Sequence, residues 1–324
     1  MKFTLILLLL LLPVKQADNE LIKPKDLKEW VEFLSSDNMN GRQNGSKEMK
    51  VAAEWISSKF TEYGLKALIG NMVQDYSYTA RSSQISERNV IGWIEGSDPV
   101  MKNEYIILSA HFDHVGVVHG ASTDSICNGA DDNAAGTSTL IGIAKYISDS
   151  GIKPGRSIIF CAFSGEENGM RGSRYFVKNL PVPAEKIIAD MNFEMTGHSE
   201  ELGKGKYYMT GCTFSNLDDI VKGYAAGYGL RLVDSIPVTN MLFNASDNVS
   251  FSKMSVADGI SKGIPSGTFA TSTLARYIHT PEDEAGLFDF ENMAVLVNHF
   301  ADVVLKLSRE KKKVVWTDPQ FTRP

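Results

Sequence analysis

The chain has 324 residues, of which 43% are hydrophobic and 22% are charged. These proportions are typical of a folded globular protein and exclude a mainly disordered, collagen-like or coiled-coil chain. The 33 basic and 39 acidic side chains give a net charge of -6. The sequence has no run of Lys and Arg long enough to follow a phosphate backbone, so we expect no nucleic-acid partner.

The N-terminus predicts an export signal. Lys2 is followed by an apolar stretch over residues 3–12 and then by Pro13. A bilayer-spanning helix takes about 20 apolar residues, so this shorter stretch predicts a secretory signal peptide over residues 1–17. An uncleaved anchor is the alternative. With cleavage, we expect a secreted or periplasmic protein that has no membrane attachment after signal removal.

Apolar periodicity downstream of residue 17 predicts helices and strands in alternation. The predicted helices cover residues 25–34, 46–63, 134–147, 167–178, 217–228 and 292–307. The predicted strands cover residues 72–79, 88–95, 104–110, 157–164, 186–194, 206–210 and 264–271. This order predicts an α/β fold in which a mixed, mostly parallel central sheet carries helices on both faces.

The sequence shows no internal repeat and no linker rich in Pro, Gly and Ser. We therefore expect one domain over residues 18–310 and a solvated C-terminal tail over residues 311–324, which begins with three lysines. Three cysteines allow one disulfide at most, so the chain is not a disulfide scaffold.

Acidic and histidine side chains follow the predicted strands at the point where each strand ends. In an open α/β sheet these ends form the crevice in which ligands bind. Singly, such residues are more often helix caps or surface groups, but several carboxylates buried in one crevice need a compensating cation. Imidazoles and carboxylates without a thiolate favour zinc over cobalt or manganese. The residues concerned are His111, Asp113, Asp131, Asp132, Glu166, Glu167, Glu194 and His279.

Five short motifs contain these residues, at residues 110–113, 129–136, 163–169, 192–197 and 278–283. In this order, and with residues 34–46, they resemble the secreted co-catalytic di-zinc aminopeptidases of the bacterial leucyl aminopeptidase type. That family is related to glutamate carboxypeptidase II and the transferrin receptor. The resemblance covers nearly the whole chain after the signal. It implies the zinc aminopeptidase, phosphorylase/hydrolase-like fold and a zinc peptidase domain over residues 18–310.

The resemblance also implies two Zn²⁺ per chain and their ligands. His111 and Glu194 would hold one zinc, Glu167 and His279 the other, and Asp132 would bridge them. Glu194 departs from the family, which usually has Asp there. The additional methylene moves the carboxylate by about 1.5 Å unless the backbone compensates, so it stays open whether that zinc site is full.

Further roles follow from the same resemblance. Glu166 would be the general base that takes a proton from water between the zinc ions. Asp113 and Asp283 would orient His111 and His279, and the family places a cis peptide after the bridging Asp, here Asp132–Asn133. The implied substrate-pocket residues are Met195, Asp247 and Ile278.

The histidines outside these assignments are His114, His119, His198 and His299. We expect His299 on the surface, and we expect His114 and His119 at most on the rim of the cleft. None of the four is predicted to bind metal.

The sequence thus predicts a metal-dependent exopeptidase that removes N-terminal residues from peptides with a free N-terminus. Nothing in it implies an oligomer. Two alternatives remain open. One is a relative with other chemistry on the same fold, either a single-zinc glutaminyl cyclase or a carboxypeptidase. The other is a binding protein that has kept the fold and lost activity.

Overall fold

The computed structural model describes residues 21–80, 82–118, 124–225, 229–235, 239–254, 263–273, 276–318 and 320. The predicted signal peptide, residues 1–17, and His119 lie outside the described residues. Within these ranges, no helix combines the length and the apolar character that a membrane crossing requires.

Strands and helices alternate along the described chain. The strands are β1 Lys66–Ala67, β2 Val73–Ala80, β3 Ser83–Ile94, β4 Tyr105–His111, β5 Gly116–Val117, β6 Ile126–Cys127, β7 Ser157–Phe163, β8 Ile187–Phe193, β9 Lys206–Met209, β10 Arg231–Leu232 and β11 Ser266–Ala270. The helices are α1 Pro24–Leu34, α2 Lys47–Glu62, α3 Gly136–Ser150, α4 Arg171–Lys178, α5 Leu217–Ala225, α6 Thr239–Leu242, α7 Asn248–Ser252 and α8 Phe290–Leu307. Most predicted elements agree with these bounds to within two residues.

Nine of the described strands form one sheet, in the order β1-β3-β7-β4-β8-β11-β9-β10, with β2 paired to β3. The four central strands β7, β4, β8 and β11 run parallel. The edges are antiparallel, through β3 against β7 and β9 against β11. Nearly every residue of these four strands is buried, because helices cover both faces of the sheet. β7 is an almost continuous apolar run, whereas β8 and β11 also carry buried polar residues such as Asp190 and Thr268. The predicted mixed, mostly parallel sheet with helices on both faces is confirmed.

The two helical layers differ in size. Helices α1, α2, α3 and α8 contribute to the larger core on one face, which includes Trp30, Phe60, Leu140 and Phe300. The smaller core on the other face contains Phe176 of α4 and Phe251 of α7. This arrangement leaves the carboxyl ends of the parallel strands together at one edge of the sheet.

One helix begins later than predicted. The sequence predicts a helix from residue 167, but α4 begins at Arg171. Residues 165–170 form a turn in which the backbone amides of Gly169 and Met170 both donate to the carbonyl of Glu166, at 2.8 Å each. Glu166 and Glu167 therefore lie on a tight turn after β7 and not in a first helical turn.

Two expectations about the C-terminal end are wrong. His299 is 1% exposed, and its Nε2 lies 3.0 Å from the hydroxyl of Tyr207. Since α8 packs against α1, α3 and α5, it has little free surface at this position. The tail is not wholly solvated either: Val314 and Trp316 are buried, and Trp316 donates to the carbonyl of Gly263. The three cysteines are buried free thiols.

Candidate metal centre

The predicted ligand residues come together at the carboxyl edge of the sheet. His111 is the last residue of β4, and Glu194 directly follows β8. Asp132 lies on the irregular turn Ala130–Ala135 before α3, Glu167 on the turn after β7, and His279 in the segment after β11. Two groups of side chains that could each hold a metal ion form there.

The first group, which we call the three-residue cluster, consists of His111, Asp132 and Glu194. Nε2 of His111 lies 3.2 Å from Oδ1 of Asp132 and 3.9 Å from Oε1 of Glu194. On the other side of the ring, Nδ1 of His111 lies 3.2 Å from the carbonyl oxygen of Asp113. That contact directs Nε2 toward the two carboxylates.

The second group, the four-residue cluster, consists of His114, Asp132, Glu167 and His279. Nε2 of His279 lies 3.2 Å from Oδ2 of Asp132 and 3.0 Å from Oε2 of Glu167. Nδ1 of His114 lies 3.2 Å from Oε1 of Glu167. His114 was not predicted here. The only sequence signal for it is its position three residues after His111 in His-Phe-Asp-His, at the end of a buried strand.

Asp132 belongs to both clusters and divides its oxygens between them. Oδ1 faces His111, and Oδ2 faces His279 and His114. The backbone amide of Asp132 donates to Oδ2 of Asp283 at 3.0 Å. The Asp132–Asn133 peptide is cis, as the resemblance implied. The neighbouring Asp131 is outside both clusters, and its Oδ1 accepts from the amide of Gly197.

The electrostatics of the clusters favour a cation. Burial alone would raise the pKa of Asp132, but the imidazoles of His111 and His279 hold it well below its usual range. In turn, the carboxylates of Asp132 and Glu167 raise the pKa of His279 to about 10. Ionised carboxylates at this depth create a negative potential that attracts positive charge.

The donor set also fits zinc. Several buried polar atoms that face the clusters have no hydrogen-bond partner, namely Nε2 of His111, both ring nitrogens of His114 and Oε2 of Glu194. Buried polar groups are normally paired, so these atoms call for a ligand. Imidazole nitrogens and carboxylate oxygens are the donors found at catalytic zinc sites.

Asp113 holds the turn that carries the two glutamates. Its carboxylate accepts from the backbone amides of Glu166 at 3.1 Å and Glu167 at 3.2 Å, and from the side-chain amide of Asn44 at 2.7 Å. Asp113 therefore positions Glu166 and Glu167 as well as His111. Burial raises the pKa of Glu166 well above its usual range, and the charge of Glu194 adds to this effect while His111 opposes it.

Asp283 does not orient His279, although the sequence predicted that role. Its oxygens accept from the backbone amides of Asp131 at 2.8 Å and Asp132 at 3.0 Å. Among the described residues, His279 donates no hydrogen bond to Asp283. The carboxylate thus fixes the turn that carries Asp132 and not the imidazole of His279.

A mainly apolar cavity of about 150 Å³ opens beside the three-residue cluster, and Glu194 forms part of its wall. Met195 and Ile278, two of the three predicted pocket residues, line it. The third, Asp247, does not. It is fully buried, and its Oδ1 accepts a hydrogen bond from Ser173 on α4. The other residues that line the cavity are Tyr208, Thr210, Leu242, Ala245, Ser246, Thr268, Ala270, Ser272 and Thr273.

Comparison with known sequences identifies relatives, some of which are named as leucine aminopeptidases or zinc metalloproteases. Leupeptin-inactivating enzyme 1 of Streptomyces exfoliatus is 27% identical over 198 residues, 61% of this chain and 40% of its own length. Leucine aminopeptidase 1 of Trichophyton rubrum is 25% identical over 218 residues, 64% of this chain and 54% of its own length. The matched region thus spans about half, or less, of these relatives.

Solved structures share the fold at low sequence identity. A zinc aminopeptidase from Bacillus subtilis has a TM-score of 0.68 at 16% identity, over 92% of this chain and 98% of its own. A glutaminyl cyclase from Porphyromonas gingivalis has a TM-score of 0.66 at 18% identity, over 89% of this chain and 99% of its own. These likenesses confirm the α/β architecture but do not distinguish between the two activities.

The family model for peptidase family M28 matches residues 89–306. The match covers more than half of the chain and includes every member of both clusters. The chain therefore belongs to peptidase family M28.

Proposed function

We propose that the protein is a di-zinc aminopeptidase that removes apolar N-terminal residues from peptides. The observation that carries this proposal is the division of Asp132, which presents one oxygen to each of two clusters. A single-zinc enzyme such as a cyclase needs only one set of donors. Two sets that share a carboxylate favour two metals.

The side chains of the centre would divide the chemistry between them. Zinc ions held by the clusters would lower the pKa of a water and polarise the scissile carbonyl. Glu166 would accept the proton of that water and donate it to the nitrogen of the leaving amine.

The cavity would select the N-terminal side chain. An engineered cavity of similar volume in another protein binds benzene, so about 150 Å³ accommodates a side chain such as that of Leu, Met or Phe. Since Glu194 belongs to both the cavity wall and the three-residue cluster, a side chain in the cavity would place its own carbonyl beside that cluster. The free N-terminal amine of the peptide would then lie beside the same cluster.

The test compares leucyl-p-nitroanilide with its N-acetylated form. We expect hydrolysis of the first only, and we expect Glu166→Gln to lower kcat at least about 100-fold through loss of general base catalysis, with zinc content unchanged. Glu185→Gln, an identical change at an exposed and remote residue, is the matched control. Equal hydrolysis of both substrates, or cyclisation of glutaminyl peptides without hydrolysis, would contradict the proposal.

We further propose that residues 1–17 direct export of the protein and are then removed, on the basis of the short apolar segment after Lys2. N-terminal sequencing of protein recovered from the extracellular or periplasmic fraction tests this. A new N-terminus near residue 18 supports export, and an intact Met1 in the membrane fraction contradicts it.

A further inference from the structure

His114 has no part in the ligand set that the sequence motifs imply, yet it is among the least exposed residues of the centre. It is 1% exposed, and its backbone amide donates to the carbonyl of Arg42 at 3.1 Å. Neither ring nitrogen has a hydrogen-bond partner. A buried imidazole normally pairs at least one nitrogen, so the ring of His114 has an unused donor atom that could bind a metal.

The distances from His114 to two carboxylates are close to those between the donor atoms of a zinc tetrahedron. With zinc–ligand bonds of about 2.0–2.1 Å, the donor atoms at the corners lie about 3.3 Å apart. Nδ1 of His114 lies 3.2 Å from Oε1 of Glu167 and 3.6 Å from Oδ2 of Asp132. The corresponding distances for Nε2 of His279 are 3.0 Å and 3.2 Å. The two imidazoles thus stand in equivalent positions toward the same two carboxylates.

The turn before Asp132 leaves room for this ring. Gly129 has a φ of +59°, and a Cβ atom built on it would lie 2.5 Å from Cγ of His114. Any larger residue at position 129 would displace the imidazole. The rings of His114 and His279 meet edge to face with centroids 5.5 Å apart. They therefore do not stack, and each ring has a nitrogen close to the carboxylate of Glu167.

We propose that His114 is a fourth protein ligand of the metal in the four-residue cluster. This inference rests on the proposed two-metal centre and gives its two metal sites different numbers of protein ligands. Four protein donors close a tetrahedral site, whereas three leave a position open for water or substrate. His114, Asp132, Glu167 and His279 would therefore hold their metal the more tightly, and an open position for water or substrate would belong to the three-residue cluster, which shares Glu194 with the cavity.

The alternative is that His114 is only an ion-pair partner of Asp132 and Glu167. An ion pair adds no bond to the metal, so its removal leaves the number of imidazoles per zinc unchanged. Removal of a ligand lowers that number. This difference can be measured without any assay of activity.

The experiment measures zinc affinity by competition with a chelator, and zinc coordination by X-ray absorption, on the purified full chain. Loss of residues that merely support a ligand costs about 10–100-fold in affinity, so loss of a ligand should cost at least about 100-fold for the tighter zinc. We expect this loss in His114→Ala and in His114→Gln, which fills more of the space. We also expect the average count to fall from three imidazoles per two zinc ions to two.

His198→Ala is the matched control, because His198 is also a buried imidazole close to the centre, with Nε2 3.9 Å from Asp131, but it belongs to neither cluster. It should leave the tighter zinc affinity within about threefold, well below the loss of a ligand. Added imidazole should restore zinc affinity to His114→Ala by occupying the vacated space.

The outcomes separate the two proposals. If the wild-type chain binds no zinc, both the proposed function and this inference are overturned. If it binds two zinc ions and both His114 variants keep the wild-type affinity and imidazole count, only the role of His114 is overturned.

Discussion

Arg42 links the segments that carry the metal centre, and its replacement should destabilise the fold. The side chain is fully buried. Its guanidinium donates hydrogen bonds to the carbonyls of Leu34, Phe112, Asn128 and Gly129 at 2.5–2.8 Å. These carbonyls belong to the end of α1, the residue after β4 and the turn that leads to Asp132. Burial lowers the pKa of Arg42 to about 10, which leaves the group charged at neutral pH.

The loss can be estimated from these contacts. Arg42→Met removes every guanidinium donor. The carbonyl of Gly129 keeps a hydrogen bond from the amide of Ala134 at 3.2 Å, but the carbonyls of Leu34, Phe112 and Asn128 lose the guanidinium, and each one left unpaired costs about 1–3 kcal/mol where water cannot enter. It also removes a positive charge near Asp132, Asp113 and Asp283. Breaking a buried charged network typically costs about 3–5 kcal/mol, so we expect a fall in the free energy of unfolding of about 4 kcal/mol. Arg42→Lys keeps the charge but offers at most three donors without the planar fork, and about half of that loss is expected.

Urea unfolding of the metal-free chain, followed by circular dichroism, measures both variants against the wild type. Metal-free protein is used so that binding does not add to the measured stability. If Arg42→Met unfolds within about 1 kcal/mol of the wild type, a value usual for surface substitutions, the guanidinium does not hold these segments together.

Two further predictions concern α8 and the cavity. Burial lowers the pKa of His299 from 6.5 to about 4. As the pH falls, the imidazole therefore gains a proton in the unfolded chain before it does so in the native state. The free energy of unfolding then decreases by up to about 3 kcal/mol between pH 6.5 and pH 4. The free energy of unfolding of His299→Gln should not show this part of the decrease over the same pH range. If the pH dependence of His299→Gln equals that of the wild type, His299 is not held neutral by burial. Ala270→Leu should fill part of the cavity, in which Ala270 lies on β11, and lower kcat/KM for leucyl-p-nitroanilide about 10–100-fold. The alanyl substrate should be less affected, and an equal loss for both would show that the cavity does not select the side chain.

Much of the fold was predictable because its central strands are buried on both faces. Continuous apolar runs such as Ser157–Phe163 predict a parallel inner strand. The order of the strands was not predictable, because it depends on contacts between residues far apart in the chain. The same limit explains His299: its burial results from three other helices that pack on α8, and local spacing on α8 carries no sign of them.

Part of the candidate site was likewise predictable from the sequence, and part was not. The positions after β4, β7 and β8 bring His111, Glu167 and Glu194 together because parallel strands end at one edge. His114 needs a second condition, the left-handed Gly129 that makes room for its ring. That condition involves a different segment of the chain, so the spacing within residues 111–114 could not reveal it.

The most direct test of the proposed two-metal centre is a crystal structure of the zinc-loaded protein with anomalous diffraction data collected on both sides of the zinc absorption edge. We predict two zinc peaks, one beside Oδ1 of Asp132 within reach of His111 and Glu194, and one beside Oδ2 within reach of Glu167 and His279. A single peak, or zinc bound only away from Asp132, would contradict the account.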